Sequence, residues 1–396
     1  MRVATSPLLV SSLVVACWAA GNPDAARAQA NGTVSNSGAV LIFQRAADSA
    51  RAAFPRLAGA QPRVVPGAAQ YQQGLTALRG ARYAEALAPL QEAARLNANS
   101  ALYHGDLAAV YAGLERWDEA ALELVLARRA QGQNQWYTVA LAAANAIRRQ
   151  WADAATNLQA AVLGDSAIID SVLAEAAVQW SWRARRNAEM LGWAQLATRR
   201  YPGIAEPWLR LASYYQQQRD TTRGAEAIHR YVALRPDDPT GQFVFSVFMY
   251  DLSRNDSALA FATRAAGDSA NRERASEVLF GIGARALTAG RADTAMLALS
   301  RAQSGVAPEL RPRVSLFLGH AQLQGVAALD QRAERNRDCD AASGLDSLLS
   351  VAATNLEAGL ALDSARVAPI LNSTIPQYRQ RSAALVRQVC AGRRRP

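Results

Sequence analysis

Apolar residues recur along this chain with a helical spacing nested inside a longer period. The clearest copy is residues 101–134, ALYHGDLAAVYAGLERWDEAALELVLARRAQGQN. Leu107, Ala108 and Tyr111 fall on one face of a first helix, and Ala120, Leu124 and Ala127 on one face of a second. Shifted by 34 residues either way, the pattern returns: Ala86, Ala120 and Ala154; Leu90, Leu124 and Leu158; Ala93, Ala127 and Ala161. Tyr83, Trp117 and Trp151 hold an aromatic slot just before each second helix. The small residues Ala108, Ala120 and Ala127 stand where two helix axes approach to about 8–10 Å. Leu107, Tyr111 and Leu124 fill the flanks. One such hairpin cannot bury its apolar stripe alone, so the pattern predicts a row of stacked hairpins.

These residues closely resemble the tetratricopeptide repeat (TPR) family, whose pattern is Leu, Gly/Ala and Tyr in helix A, then Ala, an aromatic or Leu, Ala and often Pro. The resemblance implies an all-α fold, a right-handed α-solenoid of about seven to eight TPR helix-turn-helix repeats with a C-terminal capping helix. It covers residues 67–364. Copies fall at 67–100, 101–134, 135–168, 171–204, 205–238, 239–271 and 276–307. The first has Gly74 in the small slot and Pro89 inside its second helix, where a mild kink is expected. The fourth is degenerate, with Met190 in a slot usually held by Ala and Trp180, Trp182 and Trp193 crowding it. An eighth copy is altered: helix A is expected at 316–329, a charged insertion at 330–340, and helix B at 345–362. A last helix at 368–389, kinked or starting late at Pro376, would cover the apolar end of the row.

The front of the chain breaks this pattern. Residues 1–30 read as a signal peptide: Arg2, an apolar run from Leu8 to Ala20, and a small-x-small site at Ala28-Gln29-Ala30. The run is too short for a membrane span, so no transmembrane helix is expected in the mature chain. Val14-Val15-Ala16-Cys17 offers a competing lipobox reading, in which Cys17 would be lipidated. Trp18 after it departs from the small or polar residue usual there and favours cleavage after Ala30. Residues 31–66 read as a linker plus one helix, from Ala39 to Phe54, placed to cap the first repeat. Residues 67–364 form the array, and 365–396 the C-terminal capping helix and basic tail.

Composition adds a formal charge of +10, carried entirely by arginine, since no lysine occurs. Arg128-Arg129, Arg148-Arg149, Arg185-Arg186 and Arg199-Arg200 stand near helix C-terminal ends, where the dipole favours a cation. A solvated surface is therefore the expectation, and no nucleic acid partner is expected. His104 takes a core-facing slot, and His229 and His320 stand alone. No His-x-x-x-His with Glu, Cys-x-x-Cys or phosphate loop occurs, and Gly281-Ile282-Gly283 lies inside a repeat helix. No catalytic residue, metal or cofactor is expected. With Cys17 removed by processing, Cys339 and Cys390 remain. The last helix B runs away from Cys339 and the capping helix runs back, so the two are expected to form a disulfide.

In TPR proteins, helix A positions 2, 5, 9 and 12 face the concave groove. Carried over, they place Tyr71, Leu75 and Leu78 there, then Trp136, Val139, Trp182, Leu209, Gln216, Phe243, Val247 and Tyr250. This lining suits a partner protein or peptide with hydrophobic anchors. The two-carboxylate clamp known in the family uses Lys and is not carried over. The expectation is an exported, periplasmic scaffold. The alternative is a lipid-anchored accessory subunit of an envelope assembly or export complex, touching membrane only through Cys17.

Overall fold

The structure, a computed structural model, describes residues 36–57 and 65–391. No strand occurs among them. After α1 (Asn36–Leu57) come four hairpins: α2 (Ala68–Arg79) with α3 (Tyr83–Leu96), α4 (Ala101–Gly113) with α5 (Trp117–Ala130), α6 (Gln135–Ile147) with α7 (Trp151–Gly164), and α8 (Ser171–Arg183) with α9 (Asn187–Arg200). Then follow α10 (Ala205–Gln217), α11 (Thr221–Leu234), α12 (Pro239–Asp251), α13 (Asn255–Ala265), α14 (Arg272–Thr288) and α15 (Ala292–Gln303). A long pair, α16 (Arg311–Asn336) and α17 (Cys339–Ala358), precedes α18 (Ser364–Pro369) and α19 (Ile375–Val389). The chain divides into two compact units, one ending at Gln218 and the other resuming at Arg219.

The turn between helices A and B is the most regular feature. Ala81, Glu115, Arg149, Arg185, Arg219 and Ser253 all adopt positive φ near 54–60°, and Gly290 takes the same place at 72°. The following residue closes the helix with a six-to-one bond: Arg82 N–H to the Ala77 carbonyl, Arg116 to Tyr111, Gln150 to Asn145, Arg186 to Ser181, Arg254 to Met249 and Arg291 to Ala286. That same residue's carbonyl accepts the first bond of helix B, as Arg116 does from Ala120 N–H. One residue thus ends one helix and starts the next, which fixes the hairpin angle without a loop.

Within hairpins, small residues face large ones. Ala108, Ala120 and Ala127 are fully buried, with Leu107 and Leu124 beside them. A Cβ on Gly74 would stand 2.5 Å from Leu90 Cγ, and one on Gly283 the same distance from Leu299 Cγ. The expected pairing of small helix A slots with helix B leucines is therefore the contact that seats the helices. Met190 fills its degenerate slot at 3% exposure, and Pro89 sits inside α3.

Two expectations are corrected. The charged insertion at 330–340 is not a loop: α16 runs on through Asn336 and α17 starts at Cys339. Asp330 is engaged by Arg381 and Ala333 is fully buried. Arg337 turns the chain at φ 49°, and Asp338 caps α17 by accepting from Asp340 and Ala341 N–H. The late start expected at Pro376 is present: α18 passes through a π-turn, Ile370–Thr374, into α19, which begins at Ile375. Pro376 lacks an N–H, and the wider turn before it accommodates the lost bond. The second correction concerns α1, which does not cap the first repeat. It packs on α6, α4 and α8.

In the C-terminal unit, α19 packs against α17 and α16. Leu345, Leu349, Leu356, Val367, Ile375 and Leu385 form their core. Cys339 and Cys390 are joined by a disulfide, with Cα atoms 5.1 Å apart. Arg381 bonds Asp330 at 2.9 Å and Glu334 at 2.8 Å. The signal segment, Cys17 and the arginines at 393–395 lie outside the described residues.

Candidate partner-binding face

In the N-terminal unit the face formed by the A helices α4, α6 and α8 carries a helix already. α1 lies on it with Ile42, Phe43, Ala46 and Ala50 buried, whereas Leu41 is 64% exposed. At about 100° per residue these four positions span one stripe about 100° wide. Under this cover α6 is buried nearly all round, from Tyr137 through Ile147, including Val139.

Polar contacts fix the register of α1. Asp106 on α4, 2% exposed, accepts from Arg51 Nε at 2.8 Å and Nη2 at 2.6 Å. Its other oxygen accepts from the Tyr71 hydroxyl at 2.6 Å. Asn134 Nδ2 donates to the Ala50 carbonyl at 3.0 Å. Arg45 pairs with Asp170, the N-cap of α8, and its guanidinium lies 5.7 Å from the Trp136 ring centre. Phe43 meets Trp117 edge-on at 5.3 Å. A buried carboxylate is costly unless paired, and Asp106 has three donors.

The electrostatics follow. Burial alone would disfavour the Arg51 guanidinium, but the hydrogen bonds and charge of Asp106 outweigh it and hold its pKa above the ordinary value. Burial first, then the Asp106 charge and bond, push the Tyr71 hydroxyl well above the tyrosine range. Tyr137 is raised by burial and then by Asp106. Both phenols stay neutral and Arg51 stays charged at any working pH. The cluster therefore holds an ion pair inside an apolar face.

The other sequence-derived positions divide between the units. In the N-terminal unit Tyr71, Leu75 and Leu209 are buried and Trp136 and Trp182 half-buried. The Arg210 guanidinium stacks 3.5 Å from the Trp182 ring centre and pairs with Glu206. Arg183 stands 4.6 Å from the Trp151 ring, and burial followed by the Arg210 charge lowers its pKa. Gln216 is half-buried. In the C-terminal unit Phe243, Val247 and Tyr250 are buried on α12. Arg274 stands over Phe243 at 4.8 Å and Arg285 over Tyr250 at 3.8 Å.

The hairpins share one build: A helices mostly of 13 residues, B helices mostly of 14, a left-handed residue between them, and a step of 34 residues through the first three copies. Small helix A residues seat on helix B leucines at Gly74, Gly283 and Gly319. The chain is an all-α array of stacked helical hairpins. No family model and no curated protein matches its sequence. Solved TPR structures resemble it at low identity. The TPR protein YrrB, which has an unusual peptide-binding site, is 10% identical, with 45% of this chain and 91% of that one covered and a TM-score of 0.39. PilF of Pseudomonas aeruginosa is 16% identical over 55% of this chain and 90% of its own, at 0.38. The C-terminal part of a TPR protein from Cytophaga hutchinsonii is 13% identical over 59% and 95%, at 0.43.

The residues that hold α1 on the A-helix face, Arg45, Arg51, Asp106, Asn134 and Asp170, were not among the sequence-derived candidates. The one available signal was Asp106, an acidic residue in the middle of the apolar helix LYHGDLAAVYAG. Its partner Arg51 stands 55 residues away, beyond any local pattern. Among the described residues no group of His, Cys, Asp and Glu is arranged to hold a metal ion, and no helix is long and apolar enough to cross a membrane.

Proposed function

We propose that this protein is an exported, non-enzymatic TPR scaffold that binds a segment of a partner protein on its A-helix face. The observation carrying the reading is the seat of α1: the face binds a helix through an apolar stripe edged by carboxylates. The Cys339–Cys390 bridge supports export, because such bonds persist in oxidising compartments. Trp182, half-buried with Arg210 stacked on it, supplies a further anchor in the N-terminal unit.

Capture from an envelope extract tests this. A chain carrying Trp136→Ala and Trp182→Ala, both half-buried positions, should retain its helicity and lose at least tenfold of its main captured protein. Undiminished capture would move the site to the opposite face or the termini. The lipid-anchored alternative rests on Val14-Val15-Ala16-Cys17. Palmitate labelling that is absent, or that survives Cys17→Ala, removes it.

A further inference from the structure

The contacts of α1 define more than a docked helix. Arg45 and Arg51 are six residues apart, about 9 Å along the axis. On a helical projection Arg45 falls about 60° to one side of the Ile42–Phe43–Ala46–Ala50 stripe and Arg51 about 80° to the other. The two arginines bracket the stripe, and the array meets each with a carboxylate, Asp170 on one flank and Asp106 on the other. Ala46 and Ala50, both fully buried, bring the helix backbone close enough for Asn134 to reach the Ala50 carbonyl. The site thus reads an aromatic residue, two small residues four apart, and a cation on each edge.

We infer that α1 is a built-in copy of the ligand this face accepts, and that a partner presenting a basic amphipathic helix of the same pattern binds by displacing it. The inference rests on the scaffold reading and adds the chemistry of the partner. Charge complementarity decides the occupant: Asp106 and Asp170 reject an acidic helix, and without Arg51 or a basic replacement Asp106 keeps only the Tyr71 hydroxyl as a donor. Residues 58–67 join α1 to α2, so the intramolecular helix competes at an effective concentration on the order of millimolar. A trans ligand therefore reads as weak until the cis contact is loosened.

The test titrates a fluorescent peptide of residues 36–57 into the full chain. Wild type is expected to bind it weakly. Arg51→Glu sets a carboxylate against Asp106, frees the face, and should tighten peptide binding at least tenfold. Adding Asp106→Asn to that chain, or changing Arg51→Gln in the peptide, should each undo the gain by at least tenfold. A second variant, Phe43→Ala with Arg45→Ala, alters only α1 and should also tighten binding; it serves if Arg51→Glu lowers helicity. Equal peptide affinity for wild type and either folded variant, or indifference to Asp106→Asn, would overturn the inference. Capture from an envelope extract separates the two proposals. Peptide binding without any captured protein leaves the helix site standing and removes the scaffold reading. Capture that persists while no variant binds the peptide does the reverse.

Discussion

His104 shows how a single residue ties a repeat together. Its Nδ1 lies 2.6 Å from Glu123 Oε2 on α5 and its Nε2 2.9 Å from the Ala98 carbonyl. Both neighbours accept, so the doubly protonated ring satisfies both. Burial pushes its pKa down, but Glu123 and the carbonyl outweigh burial and the net shift is upward. A raised folded pKa contributes stability that is complete below the unfolded value, about 6.5, and is lost as pH rises through the folded value. Urea unfolding should therefore show wild type losing more stability than His104→Gln between mildly acidic and mildly alkaline pH; parallel profiles would contradict this. Gly74 makes the converse point about space. Alanine there would press on Leu90 Cγ and should cost about 1–3 kcal/mol by overpacking, read as a lower urea midpoint. The sequence pattern carried these packing slots because each repeats every 34 residues. It did not carry Asp106, whose role depends on a residue outside the repeats.

Among the elements, the A–B turn was legible as a turn but not as a left-handed residue. Only Gly290 advertises positive φ; Ala81, Glu115 and the arginines adopt it against preference, at about 1–2 kcal/mol each. Glu115→Gly relieves that strain and gives part of it back in unfolded-state entropy, so a net gain of about 0.5–1 kcal/mol is expected from denaturant unfolding. The last hairpin misled for the opposite reason. Residues 330–336 look like a charged loop, yet a helix long enough to meet α19 buries Ala333 and presents Asp330 to Arg381. The cysteine pair was legible from chain direction together with the oxidising compartment that the export reading implies. Cys390→Ser should lower stability by up to about 4 kcal/mol in the chain-entropy model and raise amide exchange in α19 ahead of the other helices. Unchanged exchange there would show that the core under α19 holds it unaided.

For the whole molecule, the fold class and the run of hairpins followed from periodicity, because each hairpin repeats one packing solution. The division at Gln218 and Arg219 did not, since it falls in a turn built like all the others. The position of α1 was hidden as well. Its amphipathic spacing marked it as a helix that needs a surface, but an apolar stripe does not say which surface. Two arginines and two aspartates supply that choice. The account makes α1 an occupant of the array, bound to it as a ligand is bound. Native-state hydrogen exchange on the full chain compares α1 with α6 beneath it. The account predicts that α1 amides exchange as a block through an opening at least tenfold more populated than that of α6. Exchange of α1 and α6 through one common opening would make α1 an inseparable part of the core and contradict it.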